Sequence, residues 1–479
     1  MIKQKLLSLL LLLTSVWPCL AATSPYDLNK PVGWGTVGKT ITGGEGGTCV
    51  TVTTASDLEK YLKASGKYTI YVKGGINVSS MISVQVVNKS IYGLPGSYLY
   101  NPNRTASGSG ILYFKSGSDN IIMRNMTFKS AGAYDVDGND NFCIDKTTNI
   151  WVDHCDFQDG VDGNFDCKNA SDYVCVTWCR FRYLIAPKAG GSGGSNDHRY
   201  TDLWGSSDSK TTDAGHLNTT FMYCWWDQGC VERMPRVRFA KVHILNCLYN
   251  STVSNYCVGA GNNSSIYVEK TAFVGVQDPY KNYSTSSDPG YLTFDDCMFT
   301  SCKTQNGNTK GTGKAFTPST YYSLSGIDVN KVQGVVSDSK CGAGATLTVE
   351  ECKGVITDGS SSGTETGGTE GGTETGGENG GSTSTTATLT KTGSGSSKQE
   401  VEVGSAIAAF GYTWSDATSA TVTGLPTGVT ADINVEAKTI SISGTPTEVG
   451  EFKFTVSTTG AAANAQKTGT ITVKEKVSS

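Results

Sequence analysis

The sequence predicts an all-β chain: a parallel β-helix followed by a linker and a small β-sandwich. Three observations carry that expectation. Along the middle of the chain a cysteine recurs with an aromatic residue two positions after it and a strand-type apolar residue three before it. Past residue 357 the composition collapses to Gly, Ser, Thr and Glu. The last ninety or so residues alternate apolar and polar positions between Gly-Leu-Pro and Gly-Thr-Pro turns, the habit of short strands.

Residues 1–22 come first and read as a secretory signal peptide. Lys3 and Lys5 precede an apolar run over residues 6–13 interrupted only by Ser8, and Ala21 and Ala22 supply a small-residue exit. The chain is therefore expected to be exported: secreted, periplasmic or held at the cell surface. Val16-Trp17-Pro18 is a poor approach to a lipoprotein cleavage site, which argues against lipidation at Cys19. No later apolar run nears the roughly 18 residues that span a bilayer, so no transmembrane segment is expected. Lysine and arginine total 39 against 43 acids, for a net charge of −4. That balance excludes a nucleic-acid partner, which calls for a strongly basic surface.

Residues 23–357 hold the repeat. Cys155, Cys179, Cys224, Cys247 and Cys297 are followed by Phe157, Phe181, Trp226, Tyr249 and Phe299, and preceded by Val152, Val176, Phe221, Ile244 and Phe294. Successive intervals of 24, 45, 23 and 50 are one or two units of a period in the low twenties, and Lys270 marks the missing unit. A fixed period of this length is the signature of a solenoid whose repeats cannot bury their faces alone. The short β-branched runs at 150–152, 174–177, 242–245 and 265–268 read as its strands. Equivalent positions then stack about 4.8 Å apart, so the cysteines form a column inside one turn. The plain reading of that column is a buried ladder of small, soft side chains. No C-x-x-C pair faces a second one, so the 15 cysteines do not spell a metal site. Neighbouring rungs lie within disulfide reach, and the sequence leaves their oxidation open.

Residues 358–386 form the linker, too polar to pack and mildly self-repelling through Glu365, Glu370, Glu374 and Glu378. Residues 387–479 follow with "VTGLPTGVTADI" and "ISISGTPTEVGEFKFTV". They resemble the immunoglobulin-like modules appended to bacterial surface and secreted enzymes. With no aromatic cluster beyond Tyr412 and Trp414, a spacer or attachment role is expected rather than sugar binding.

Two charged groups stand out against this scaffold. Asp162 and Asp166 sit four apart in "VDGNFDCK", and Asp135, Asp137 and Asp140 cluster upstream in "YDVDGNDN". If consecutive coils superimpose, carboxylates of both groups meet on one face. Three close carboxylates repel unless a cation neutralises them, and oxygen ligands of this kind suit calcium; a solvated acidic loop is the plain alternative. Further on, "VERMPRVRF" gathers Arg233, Arg236 and Arg238 within six positions.

"NIWVDHCDF" (149–157), "DGNFDCKNASDYVCVTWCRF" (162–181) and "RMPRVRFAKVHILNC" (233–247) resemble successive signatures of the pectate lyases of polysaccharide lyase family one. "NKSIYGLPGS" (88–97) and "NIIMRNMTF" (120–128) resemble that family's earlier coils, and the likeness runs from about residue 33 to 355 in the family's order. The resemblance implies a right-handed parallel β-helix that cleaves de-esterified pectin with calcium as cofactor. It implies Asp162 and Asp166 as calcium ligands on a D-x-x-x-D pattern, and Asp140 as the ligand thirteen residues before Asp153. Asp137 is a further candidate ligand, although the family's second upstream carboxylate falls on Gly138. Arg233 matches the arginine of R-x-P, the family's catalytic base. Arg238 matches its second arginine and Lys188 its lysine, both of which bind substrate carboxylate. The family's stacked asparagines are cysteines here, and its "RFG" reads "RFA" at Ala240. Arg236, pointing away from its neighbours in a strand, is read as a surface charge.

The implied reaction explains the gathered cations. β-Elimination removes the C5 proton of a galacturonate, charge spreads onto the adjacent carboxylate as an enolate, and the C4 oxygen leaves. Cations beside that carboxylate stabilise the charge. A free guanidinium has a pKa above about 12, so a base role requires calcium and neighbouring cations around it. His154, His216 and His243 invite a hydrolase, but "AGHL" at 214–217 lacks the second glycine of a Gly-His-Gly loop. A pectin lyase would act on methylated substrate without calcium, leaving Asp140, Asp162 and Asp166 without purpose. A non-catalytic β-solenoid adhesin would need no base. The expected protein is a monomeric enzyme acting on polygalacturonate.

Overall fold

Sharp one-residue corners are what turn this repeat into a coil. A computed structural model describes residues 29–304, 311–356 and, in the C-terminal part, 387–476 apart from 394, 416, 418, 435–437 and 460–464. The signal peptide and linker expectations fall outside these described residues. The chain divides into two compact units, 1–362 and 363–479.

In the first unit the strands form three parallel sheets of ten, nine and eight strands. One coil illustrates the path: Thr148–Asp153 lies in the first sheet, Asp156–Gln158 in the second and Phe165–Lys168 in the third, before Asp172–Thr177 returns to the first. The apolar residues singled out by spacing stack in register, Val152 on Val176, Phe221, Ile244, Val268 and Phe294. The strands predicted at 150–152, 174–177, 242–245 and 265–268 all lie within first-sheet strands.

Each passage from the first to the second sheet turns on one left-handed residue, among them His154, Trp178, Tyr223, Asn246 and Lys270, with φ between 44° and 56°. A left-handed L-residue costs roughly 1–2 kcal/mol, so the corner must be offset by what it lets stack behind it. Immediately after it come Cys155, Cys179, Cys224 and Cys247, all fully buried. Two positions on, a continuous column of rings runs through Phe128, Phe157, Phe181, Trp226, Tyr249, Phe273 and Phe299, with centroids 4.6–5.3 Å apart. Ring pairs of this kind add roughly 0.5–1.5 kcal/mol each beyond burial. The unit marked by Lys270 is one residue out of step: Lys270 is the corner, and the rung is Thr271, whose hydroxyl accepts from the Cys247 N–H at 3.2 Å.

The ladder cysteines are free thiols, and a disulfide instead joins Cys49 to Cys352. It ties the first strand, Thr48–Val52, to the end of the unit. The helix Ala55–Lys63 is capped by the Thr54 hydroxyl and buries Leu58 and Leu62 in the same core.

The second unit has two four-stranded sheets. Pairing is antiparallel except between Lys398–Glu402 and Gln466–Lys474. Leu389, Phe410, Trp414, Ile440 and Ile442 of one sheet share a core with Phe454, Val456, Ile471 and Val473 of the other. Tyr412 and Trp414 are buried in that core, so neither offers a ring to a sugar.

Candidate functional site

Alternation along the third sheet decides what faces outward. In Phe165–Lys168 the side chains of Phe165 and Cys167 are fully buried, which turns Asp166 and Lys168 to the outer face. The register Cys143 to Asp166 places the strand Phe142–Asp145 one coil before it. Asp140, just ahead of that earlier strand, and Asp162, just ahead of the later one, therefore come to the same place.

Asp140, Asp162 and Asp166 do converge. A Cβ added to Gly163 would lie 2.8 Å from Asp140 Oδ1 and 3.3 Å from Asp166 Oδ1, so both carboxylates point into the space over the bare Gly163 backbone. Burial first, then Asp166 and Asp162, raise Asp140 well above the usual carboxylate range. Burial and Asp162 push Asp166 up to about 7, opposed by Lys168, by the Leu203 N–H that Asp166 Oδ1 accepts at 3.0 Å, and by Arg233. Among the described residues neither Asp140 nor Asp166 forms an ion pair. A convergent set of hard oxygens lacking its own cation fits calcium. Among the described residues no three His, Cys, Asp or Glu side chains already close into a metal cage, as mutual repulsion of uncompensated carboxylates dictates.

Asp137 takes a left-handed backbone in the preceding loop and is not among the leading charges on Asp140 or Asp166. Lys188 is exposed, its ammonium 4.3 Å over the Tyr134 ring. Arg233 stands half-buried on a left-handed backbone, φ 57°, at the entry to the third-sheet strand Arg236–Val237. Its guanidinium lies 4.6 Å over the Tyr200 ring and makes no salt bridge among the described residues. Arg238 is buried, donating to Asp208 Oδ1 at 2.5 Å and to the Gly205 carbonyl at 3.0 Å. Arg236, expected as a surface charge, is half-buried instead, packed 4.4 Å over Tyr283 and reaching Asp208 at 3.5 Å. Burial, then Arg238, lowers its guanidinium.

The histidines sort themselves against the hydrolase reading. His154 pairs with Asp153, His216 with Asp172, and His243 with Glu269, none of them with the carboxylates just described. The fourth, His198, escaped sequence reasoning and sits on Asp162 at 2.8 Å. Nothing in its spacing announces it, because the contact closes across 36 residues. Lys168 was legible in principle, two positions after Asp166 on the same strand face.

The raised carboxylates carry a signed consequence for stability. In unfolded chain an aspartate titrates near 4; in the metal-free fold Asp166 does so at about 7, and Asp140 is raised too. Between those limits the fold holds protons the unfolded chain has released, so these groups lower stability as pH climbs through that window. The melting temperature in chelator is expected to fall by a few degrees between about pH 5 and pH 8, and calcium to remove the fall. A chelated protein whose melting point holds level or rises over that range would contradict the carboxylate cluster.

Comparison with known proteins bears on the family and the fold. A family model described as pectate lyase matches residues 4–346. The chain is 30% identical over 274 residues to pectate lyase plyB of Emericella nidulans, covering 56% of this chain and 75% of that one. It is 31% identical over 262 residues to the pectate trisaccharide-lyase of Thermotoga maritima, covering 52% of this chain and 64% of the other, just under two thirds. Among solved structures, a pectate lyase bound to a hexasaccharide matches at 22% identity and a TM-score of 0.52, covering 67% of this chain and 97% of that one. The pectate lyase of Paenibacillus sp. 0602 matches at 16% identity and 0.53, covering 67% and 98%. At these identities the solved structures establish likeness of fold.

Proposed function

The chain belongs to the pectate lyase family and is a polysaccharide lyase, and from that premise we propose that it is calcium-dependent. Its substrate on this reading is α-1,4-linked polygalacturonate, cleaved by β-elimination to 4,5-unsaturated oligogalacturonides. The observation that supports this best is the convergence of Asp140 and Asp166 over Gly163, beside an Arg233 that lacks a carboxylate partner among the described residues.

Asp140, Asp162 and Asp166 would hold the ion, with Asp137 the further candidate. When bound, calcium supplies Lewis-acid stabilisation of the charge that develops on the substrate carboxylate. Acting as the neutral guanidine, Arg233 takes the C5 proton, the C5–H electrons form the C4–C5 double bond as the C4–O bond breaks, the departing oxygen takes a proton from water, and the hydroxide so formed recovers the proton from Arg233. The planar fork of Arg238, fixed on one side by Asp208, and the ammonium of Lys188 bind substrate carboxylates. Uncharged methyl esters would gain nothing from these cations. Export follows from the N-terminal pattern of Lys3, Lys5 and the apolar run. No helix of the described residues is long and apolar enough to cross a membrane.

The test is ultraviolet absorbance of the unsaturated product during incubation with polygalacturonate or highly methylated pectin at alkaline pH, with calcium or with chelator. Absorbance is expected to rise on polygalacturonate only when calcium is present. A rise confined to methylated pectin and indifferent to chelator would replace this reading with a pectin lyase.

A further inference from the structure

The Gly-Ser-rich stretch that separates Lys188 from the next coil is a tight wrap around one carboxylate. Gly191 and Gly193 have no room for a side chain, since an added Cβ would lie 1.9 Å from the Asp135 carbonyl oxygen and 1.9 Å from Asp135 Oδ1 respectively. The Gly193 N–H donates to the Asp135 carbonyl at 2.9 Å, and the Ser195 N–H to Asp135 Oδ2 at 2.7 Å. Asp135 is thus the post on which this segment is wound.

Three residues beyond Ser195 the segment delivers His198, whose side chain is more than nine-tenths buried. Its Nε2–H donates to Asp162 Oδ1 at 2.8 Å, while its buried Nδ1 lies 3.4 Å from Asp135 Oδ1 without a hydrogen bond among the described residues. The imidazole lies 4.3 Å from the Tyr200 ring, and Tyr200 in turn supports the Arg233 guanidinium at 4.6 Å. Flanking contacts fix this run of chain: Arg199 forks onto Asp197, the Arg199 carbonyl accepts from Val231, and the Tyr200 carbonyl accepts from the Tyr183 hydroxyl at 2.9 Å. Asp162 has the most exposed side chain of this carboxylate–imidazole–carboxylate series, at 34% against 9% for His198 and 12% for Asp135. It needs an outside partner to hold one rotamer.

We propose that His198 is a positioning residue, clamped between Asp135 and Asp162 by the glycine-rich wrap, that presets Asp162 for the cation and, through Tyr200, places Arg233 beside it. The proposal rests on the calcium reading above. An imidazole that orients a ligating carboxylate from outside the coordination sphere commonly accounts for about 10–100-fold in metal affinity. An unclamped Asp162 would have to be ordered by the ion itself, at the expense of binding.

The test is calorimetric titration of calcium into the full-length protein and three variants, with melting temperature in chelator as a control for folding. His198→Ala is expected to bind calcium about 10–100-fold more weakly. His198→Gln, which keeps a donor towards Asp162, is expected to recover most of that loss. Gly193→Ala, which touches neither Asp162 nor Arg233 but displaces the wrap from Asp135, is expected to weaken binding in the same direction. Calcium affinity unchanged in both His198→Ala and Gly193→Ala overturns the clamp and leaves the lyase reading standing. Equal losses for His198→Ala and His198→Gln, with a matching drop in melting temperature, assign His198 to packing alone and also overturn it. Absence of calcium binding by the wild type removes the calcium reading and the clamp together.

Discussion

Arg233→Ala is expected to lower the turnover of polygalacturonate by about 10³-fold, within the span usual for loss of a positioned proton acceptor, while calcium affinity stays within a few-fold of wild type. The separation follows from position. Arg233 acts on Asp140 and Asp166 only as one charge among several, after burial and the neighbouring carboxylates. Its own anchor is the Tyr200 ring rather than a carboxylate. Removing it leaves the acidic cluster assembled and takes away the group that receives the C5 proton. Arg233→Lys sharpens the point, because it keeps the charge but loses the planar guanidinium that lies over Tyr200. A free lysine loses its proton about two units lower than a free arginine, so with residue 233 as proton acceptor the lysine variant should reach its plateau rate at lower pH than wild type, whereas with residue 233 serving only as a cation its rate should fall as the lysine is neutralised. Saturating rates of unsaturated product formation as a function of pH decide between them, and an alanine variant retaining a tenth of the activity sinks the assignment.

How much of this could be read in the sequence depended on how far each contact reaches. The coil period was legible because every rung repeats one local grammar, an apolar residue, a corner, a small residue and a ring, within six positions. Val152, Cys155 and Phe157 therefore announce the same columns as Val176, Cys179 and Phe181. Lys270 shows the limit of that grammar: the true rung, Thr271, is not a cysteine, so spacing points to the lysine beside it, and only the backbone reveals which residue turns the corner. The acidic cluster was legible for a second reason, since superposing successive coils brings Asp140 beside Asp162 and Asp166 once the period is known. His198, Tyr200 and Asp208 were not, because they arrive from the long connections on either side of the third-sheet strand Leu203–Trp204, between Arg182 and Thr219, which stretch this coil well beyond the period. Arg236 was hidden from spacing by long-range cover. Alternation correctly turned it outward, but Tyr283 and Asp208 cover it from other coils.

Asp166→Asn should separate function from stability by moving them in opposite directions. Calcium affinity is expected to fall by about 10²-fold or more, since a carboxylate facing a divalent ion is replaced by a neutral amide, and activity at ordinary calcium should fall with it and return partly at high calcium. The amide oxygen can still accept from the Leu203 N–H, which Asp166 Oδ1 accepts at 3.0 Å, so the local backbone is preserved. In the metal-free protein at about pH 8 the same change removes a buried charge. Asp166 is held up to about 7 by burial and by Asp162, so its ionisation above that pH works against the fold, and an asparagine is relieved of that penalty, on the order of 4 kcal/mol. The chelated variant should therefore melt higher than chelated wild type at about pH 8, with the gap closing towards about pH 5, where the wild-type group is already protonated. Calcium should reverse the order by stabilising wild type more. A variant that melts lower than wild type in chelator at both pH values would show that Asp166 is retained for the fold, and the cation site would then have to be sought in other carboxylates.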